Sequence, residues 1–406
     1  MAFLNNHSDG KKMIDKVFKA AVKAIEAKEK FGDDAVIDAT LGTLFDENGV
    51  FVAYDSVWNP FDKMDKIEKA RYARGIQGNP LYREAVYKWL FGEEEMPCEI
   101  IVSPGGAGAV SATMHNVLNP GDTLIIPSQG WGPYKTMANE YSLQLSKYNL
   151  FKDHGFDLES FKFTLDSVME NEGKVLAIIN DPCHNPTGYT MSTEEWDEVL
   201  LFLNQLSKKG PVVIINDVAY VDYSVNPTWK DHFLKYKNLS ENVMVVIAFS
   251  LSKTFTAYGM RVGAMVAISN NAEELSKFKD ASIYSARSIW STCNNSVMEL
   301  FAQITSDEVL YSNYINEKQE YIELLKDRAK IFISECKTEG IELYPFTEGF
   351  FATIKVPNNK EKEALNLRLQ KKNIFTVEVD GGLRIALCSV PKRKLRGFAR
   401  KIKEVL

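Results

Sequence analysis

The sequence predicts an α/β fold, with a mostly parallel sheet between helices and a smaller α+β unit attached. Three observations predict it. Short β-rich runs alternate with helical stretches through the middle of the chain. Those runs are apolar on both faces of the pleat, as strands buried between helix layers must be. After about residue 305 the pattern changes to one long charged helix followed by short strands.

The β-rich runs lie at 99–103, 123–127, 175–180, 211–216, 243–249 and 261–268. Helical patterns separate several of them. One begins at Ser192, where Ser-Thr-Glu-Glu forms a capping box with Glu195. Alternation of this kind implies parallel pairing through crossover helices. Residues 308–338 read as one helix that ends near Gly340. Strands are expected beyond it at 341–346, 350–356, 374–379 and 383–387, with two more helices. At the front, 11–30 is an amphipathic helix and a turn-rich stretch follows. We expect residues 1–60 to join the small unit, 61–307 to form the large one and 308–406 to form the small one.

Composition narrows the function classes. The chain has 406 residues, 45% of them apolar, enough for a substantial core. Its net charge of −6 argues against non-specific nucleic-acid binding, which needs clustered positive charge. No run of about 18 apolar residues occurs, so no membrane span is expected. The N-terminus lacks the apolar core of a signal peptide. Five scattered cysteines without a CxxC fit reduced thiols in a cytoplasmic protein. Cys183 and His184 are adjacent, but two neighbouring side chains rarely close a metal site, and no metal is expected.

The chemistry gathers where strands end. The run 99–103 leads into Pro104-Gly105-Gly106-Ala107-Gly108 and a helix, where backbone N–H groups can meet an anion. Three other strand ends are unusually polar: Asp181-Pro-Cys-His-Asn185-Pro-Thr-Gly188, Asp217-Val-Ala-Tyr220 and Ser250-Leu-Ser252-Lys253. Alone, each reads as readily as a turn, a helix cap or a surface charge. Together they indicate one site, because ligands of open α/β sheets bind beyond the carboxyl ends of strands.

These motifs, with Arg261 eight residues after Lys253, resemble those of the pyridoxal 5′-phosphate (PLP) dependent aminotransferases of fold type I. The likeness is to class I/II, the group with aspartate and aromatic aminotransferases, and it runs from about residue 35 to the C-terminus. It implies a seven-stranded large domain that binds PLP and a homodimer with shared sites. It makes Lys253 the lysine that forms a Schiff base with the cofactor and moves the substrate's Cα proton. It places Asp217 beside the pyridine nitrogen, and Asn185 and Tyr220 on the phenolic oxygen. It gives the phosphate to Ser250, Ser252, Arg261 and the backbone of Gly106 and Ala107. Trp131 would stack on the ring. Arg384, in Gly-Gly-Leu-Arg, would grip the substrate carboxylate, with Asn185 and Trp131 beside it. Tyr72 would reach the phosphate of the neighbouring subunit.

The sequence departs from the family pattern at three places. Tyr72 stands one residue further from the following glycine than in aspartate aminotransferases. Ala107 stands where many relatives have Ser or Thr. Ala281 stands where enzymes for dicarboxylic substrates carry an arginine, and Arg287 falls elsewhere. A second buried carboxylate would therefore lack its charge partner. The expected substrates are an aromatic or other bulky neutral amino acid and a 2-oxo acid such as 2-oxoglutarate. Two other readings share these residues. One is a PLP-dependent carbon–sulfur or related lyase. The other is a non-catalytic PLP- or amino-acid-binding regulator, for which no added DNA-binding segment is seen before residue 35.

Overall fold

The computed structural model describes residues 3–5, 7–13 and 15–406. Seven strands form the large sheet: β1 (Cys98–Ser103), β2 (Thr123–Pro127), β3 (Gln144–Tyr148), β4 (Val175–Asn180), β5 (Val212–Asp217), β6 (Val243–Ser250) and β7 (Gly263–Ile268). Their order across the sheet is β1-β7-β6-β5-β4-β2-β3. β7 runs antiparallel to β1 and β6, and the other four pairings are parallel. β4 and β7 are buried along their whole length, which matches their unbroken apolar sequence.

This topology decides where the polar residues go. Parallel β4, β5 and β6 end at one edge, and Asn180 lies in register with Asp217. Antiparallel β7 starts at that edge, with Gly263 opposite both Ser250 and Ser103. Arg261, two residues before Gly263, therefore arrives beside the ends of β1 and β6 rather than at the far side of the sheet.

The helices include α1 (Lys16–Phe31), which packs on the small unit, α2 (Gly105–Val117), α3 (Pro133–Glu140), α4 (Thr193–Leu206), α5 (Leu251–Thr254), α6 (Ala272–Ile289) and α7 (Glu308–Glu339). α4 has the reciprocal capping box of Ser192 and Glu195. α7 ends at Gly340, which takes a left-handed φ of 65°. It crosses from one core to the other. Tyr314, Ile322 and Leu325 pack in the large core, and Ala329, Phe332 and Cys336 pack in the small one.

The small unit is built on β8 (Phe351–Lys355), β9 (Val377–Val379) and β10 (Gly382–Ala386), antiparallel in the order β8-β10-β9. Ile37–Asp38 pairs with Ile374–Phe375, and Ile37 and Ala39 lie in the small core. Leu44, Val52, Tyr54 and Val57 belong instead to the large core.

Four expectations need correction. The first helix starts at Lys16 rather than at 11, because Asp15 caps it by accepting from the N–H groups of Val17 and Phe18. Residue 14 lies outside the described residues. The strand expected at 341–346 is reduced to a single bridge, Leu343 to Ile354. It contains Pro345, which has no N–H to give to a ladder. The run 374–379 is split between two sheets, with Ile374–Phe375 on one and Val377–Val379 on the other. β3, an edge strand of sequence Gln-Leu-Ser-Lys-Tyr, was not expected.

Candidate active site

A cleft of about 200 Å³ opens at the shared strand edge. Ten of the residues singled out in the sequence line it: Gly106, Ala107, Trp131, Asn185, Asp217, Tyr220, Ser250, Ser252, Lys253 and Arg261. Three further residues line it as well, namely Asn180, Ala219 and Tyr258.

Lys253 is mounted on α5, the single turn that follows β6. Its amine donates to the Gly42 carbonyl at 2.6 Å and stands 4.3 Å from the Tyr258 ring centre and 5.5 Å from that of Tyr220. Burial brings its pKa down to about 7; the Cys388 thiol opposes this, and the charges of Arg384 and Arg261 add to it. A large share of the amine is therefore uncharged, and nucleophilic, near neutral pH.

Asp217 closes the floor. It is buried, and burial raises its carboxyl pKa. The Tyr134 hydroxyl donates to Oδ2 at 2.6 Å, and the Ala219 N–H donates to Oδ1 at 3.2 Å. Asn180 ties this floor to the loop above. Its amide donates to the Asp217 carbonyl at 2.8 Å and its oxygen accepts from the Asn185 N–H at 2.8 Å. Asn180 and Tyr134 were missed in the sequence. Tyr134 lies three residues after Trp131, but its phenol reaches Asp217 only because α3 turns it inward.

The other end of the cleft is an anion cradle. α2 begins there and leaves its first N–H groups without intrahelical partners. Arg261 reaches over it, donating to Ser252 Oγ at 2.9 Å and to the Pro104 carbonyl at 3.3 Å. The fit is close. Gly105 has a φ of +74°, and a Cβ on it would lie 2.6 Å from Arg261 Nη2. An anion cradle, a buried carboxylate with no cation beside it among the described residues, and a low-pKa lysine between them match the three demands of PLP: phosphate, pyridinium nitrogen and aldehyde.

Two expected residues stand apart from this lining. Arg384, on β10, is buried above it and donates to Asn185 Oδ1 at 3.3 Å and to the Thr40 carbonyl at 2.6 Å. Its Nε has no hydrogen-bond partner among the described residues. Such an orphaned donor suits a carboxylate ligand. Tyr72 is 86% exposed and lies outside the cleft of its own chain. His184 hydrogen-bonds Thr187 at 2.8 Å, and burial brings its pKa down to about 3. Among the described residues no group of three His, Cys, Asp or Glu side chains could hold a metal, and no helix is long and apolar enough to cross a membrane.

Comparison with known proteins agrees with this geometry. The profile of the family described as "Aminotransferase class I and II" matches residues 62–402. The crystal structure of an aminotransferase from Anaerococcus prevotii DSM 20548 is 33% identical, with a TM-score of 0.95 over 100% of this chain and 99% of that one. An aromatic-amino-acid aminotransferase of Pseudomonas aeruginosa is 24% identical over 300 residues, 72% of each chain. The aromatic-amino-acid aminotransferase of Burkholderia pseudomallei, solved covalently bound to pyridoxal phosphate, shares the fold at 19% identity, with a TM-score of 0.81 over 99% of this chain and 100% of that one. A profile match over most of the chain, and a solved relative of the same fold over its whole length, lead to one assignment: the chain belongs to the class I and II aminotransferases, PLP-dependent enzymes of fold type I.

Proposed function

We propose that the enzyme moves the amino group of an aromatic or other bulky neutral amino acid to a 2-oxo acid such as 2-oxoglutarate, in two half-reactions at one cleft. The observation that carries the reaction type is the Lys253 amine, lowered to a pKa of about 7 between a buried carboxylate and an anion cradle. The substrate class rests on Ala281. By likeness to the family, this position of α6 meets the substrate's second carboxylate when there is one, and a methyl group offers it no charge.

PLP, when bound, supplies an aldehyde carbon that exchanges amines and a ring that withdraws electrons. The chain's own residues do the rest. Gly106, Ala107, Ser250, Ser252 and Arg261 would hold the phosphate, and Asn185 and Tyr220 would hold the phenolic oxygen. Asp217 would favour a proton on the ring nitrogen. Arg384 orients the α-carboxylate through its guanidinium, so that the Cα–H bond faces Lys253. Lys253 Nζ takes that proton and returns it.

The test is to incubate the purified protein with PLP, tyrosine and 2-oxoglutarate. Glutamate and the oxo acid of tyrosine are expected, and Lys253→Ala is expected to lose both products and the borohydride-reducible covalent link to the cofactor. Pyruvate and ammonia from a cysteine-type substrate, without glutamate, would mean a lyase. Full activity in Lys253→Ala would overturn the mechanism.

We further propose a homodimer with shared sites in a reducing, cytoplasmic compartment. Tyr72, Tyr284, Ile67 and Ile289 of the large unit are all strongly exposed, which supports apolar surface there being covered by a second copy. All five cysteines are unpaired, which supports the compartment.

A further inference from the structure

The strand end that supplies Asp217 and Tyr220 continues into two residues that the site above does not use. The Asp222 side chain is 1% exposed. Its Oδ1 lies 3.0 Å from Lys230 Nζ and 3.7 Å from Lys318 Nζ. Its Oδ2 accepts from the Thr254 hydroxyl at 2.7 Å and from the Trp89 indole N–H at 3.2 Å. Burial raises its pKa, but Lys230, Lys318 and the Thr254 hydroxyl outweigh this and bring it down to about 2. A full negative charge therefore faces Thr254 at neutral pH.

Thr254 is the residue after Lys253. Both lie on α5, which has only four residues and cannot fix itself through its own hydrogen bonds. Its first half is tied by the Leu251 N–H to the Val262 carbonyl and by Arg261 to Ser252 Oγ, and its second half, which carries the lysine, is held from outside at three points. The Tyr223 hydroxyl donates to the Lys253 carbonyl at 3.1 Å, the Tyr314 hydroxyl donates to the Thr254 carbonyl at 2.7 Å, and Asp222 takes the Thr254 hydroxyl. Of these three only the last is charge-assisted, as the Arg261 bond is in the first half, and such bonds are the stronger kind.

We propose that Asp222 is a positioning residue for Lys253: its carboxylate, acting through the Thr254 hydroxyl, fixes the turn on which the amine is mounted. One segment, 217–223, then sets both halves of the site, because Asp217 and Tyr220 face the cofactor while Asp222 and Tyr223 hold the lysine. The influence is mechanical. The charges that reach the amine at neutral pH are those of Arg384 and Arg261, with the Tyr220 and Tyr258 rings beside it, and Asp222 is not among them. Lys230 and Lys318 keep Asp222 ionised.

The inference rests on Lys253 being the cofactor lysine. The test compares PLP-loaded parent, Thr254→Val and Thr254→Ser. Thr254→Val keeps the shape and leaves Asp222 its two lysines. Its expected kcat is about tenfold to a hundredfold lower with KM within about threefold, since small misplacements of a reacting group act on the chemical step. The pH midpoint of the visible absorbance is expected to rise by about half a unit or more, because a looser turn lets the nitrogen escape the burial that disfavours its charge. Thr254→Ser is expected to restore both. A Thr254→Val protein with a lower melting temperature but the parent's midpoint and kcat would show a purely structural role and overturn the proposal. Should that variant not be soluble, Thr254→Ala is read in the same way. Covalent retention of the cofactor by Lys253→Ala after borohydride reduction would instead sink the underlying assignment of the lysine.

Discussion

Asp217 shows at the scale of one residue why the cleft calls for a cation. Its carboxyl pKa is raised, first by burial, and the hydrogen bonds from Tyr134 and the Ala219 N–H offset this only in part. A raised carboxyl pKa means that the folded chain holds the proton more tightly than the unfolded chain. The cofactor-free fold therefore loses stability as pH climbs from the ordinary 3.8 of an aspartate through the raised value. Asp217→Asn removes that penalty. Without cofactor it is expected to melt above the parent at pH 7, and the gap should close below pH 3.8. With cofactor its turnover is expected to fall about 100- to 1000-fold, the range seen when a preorganised charge partner is lost. Thermal melts across pH and a steady-state assay check the two halves. As cleft residues, Asn185, Tyr220 and Lys253 were legible because each is a polar residue in a short motif after an apolar strand, and Asp217 because it opens the motif Asp-Val-Ala-Tyr. Asn180, Tyr134 and Tyr258 were not. Asn180 is the last residue of a strand and looks like its end. The two tyrosines are ordinary aromatic residues until packing aims them at the cleft.

At the scale of elements, the anion cradle depends on how closely α2, β6 and β7 approach one another. Gly105 and Gly263 make this possible. A Cβ on Gly263 would lie 2.3 Å from the Phe249 carbonyl oxygen, and one on Gly105 would lie 2.6 Å from Arg261 Nη2. Gly105→Ala therefore displaces the guanidinium and also places an alanine at positive φ. It is expected to destabilise the fold by about 1–3 kcal/mol and to weaken PLP binding by about tenfold or more. A thermal melt and a cofactor titration check this, and unchanged affinity would show that Arg261 is not needed at the phosphate. Where elements were legible in the sequence, a local signal defined them: the Ser192 capping box, Gly340 after α7, and the unbroken apolar run of β4. Where they were not, the deciding interaction was distant. β3 is half polar and exists because β2 offers it a partner. Residues 374–379 look continuous, but the halves on either side of Thr376 pair with Ile37–Asp38 and with β10.

At the scale of the whole molecule, the question is whether one chain completes its own site. Tyr72 lies outside its own cleft and is 86% exposed, so a contact with cofactor phosphate requires a second copy. Tyr72→Phe removes one hydroxyl and is expected to weaken PLP binding by about tenfold to a hundredfold, the worth of one hydrogen bond to a charged group. That change alone does not say whose site the tyrosine serves. A hybrid does. Suppose Tyr72→Phe and Lys253→Ala dimers are unfolded, mixed equally and refolded. Half of the dimers then carry one chain of each kind. In a shared-site dimer, the chain with intact Lys253 receives an intact Tyr72 from its neighbour, so about a quarter of all sites regain the parent's PLP affinity and turnover. If Tyr72 serves its own subunit, every site that keeps Lys253 also lacks the Tyr72 hydroxyl, and no site regains parental affinity. A cofactor titration of the mixture distinguishes the two, because only the first arrangement produces a tight-binding fraction that neither parent dimer shows.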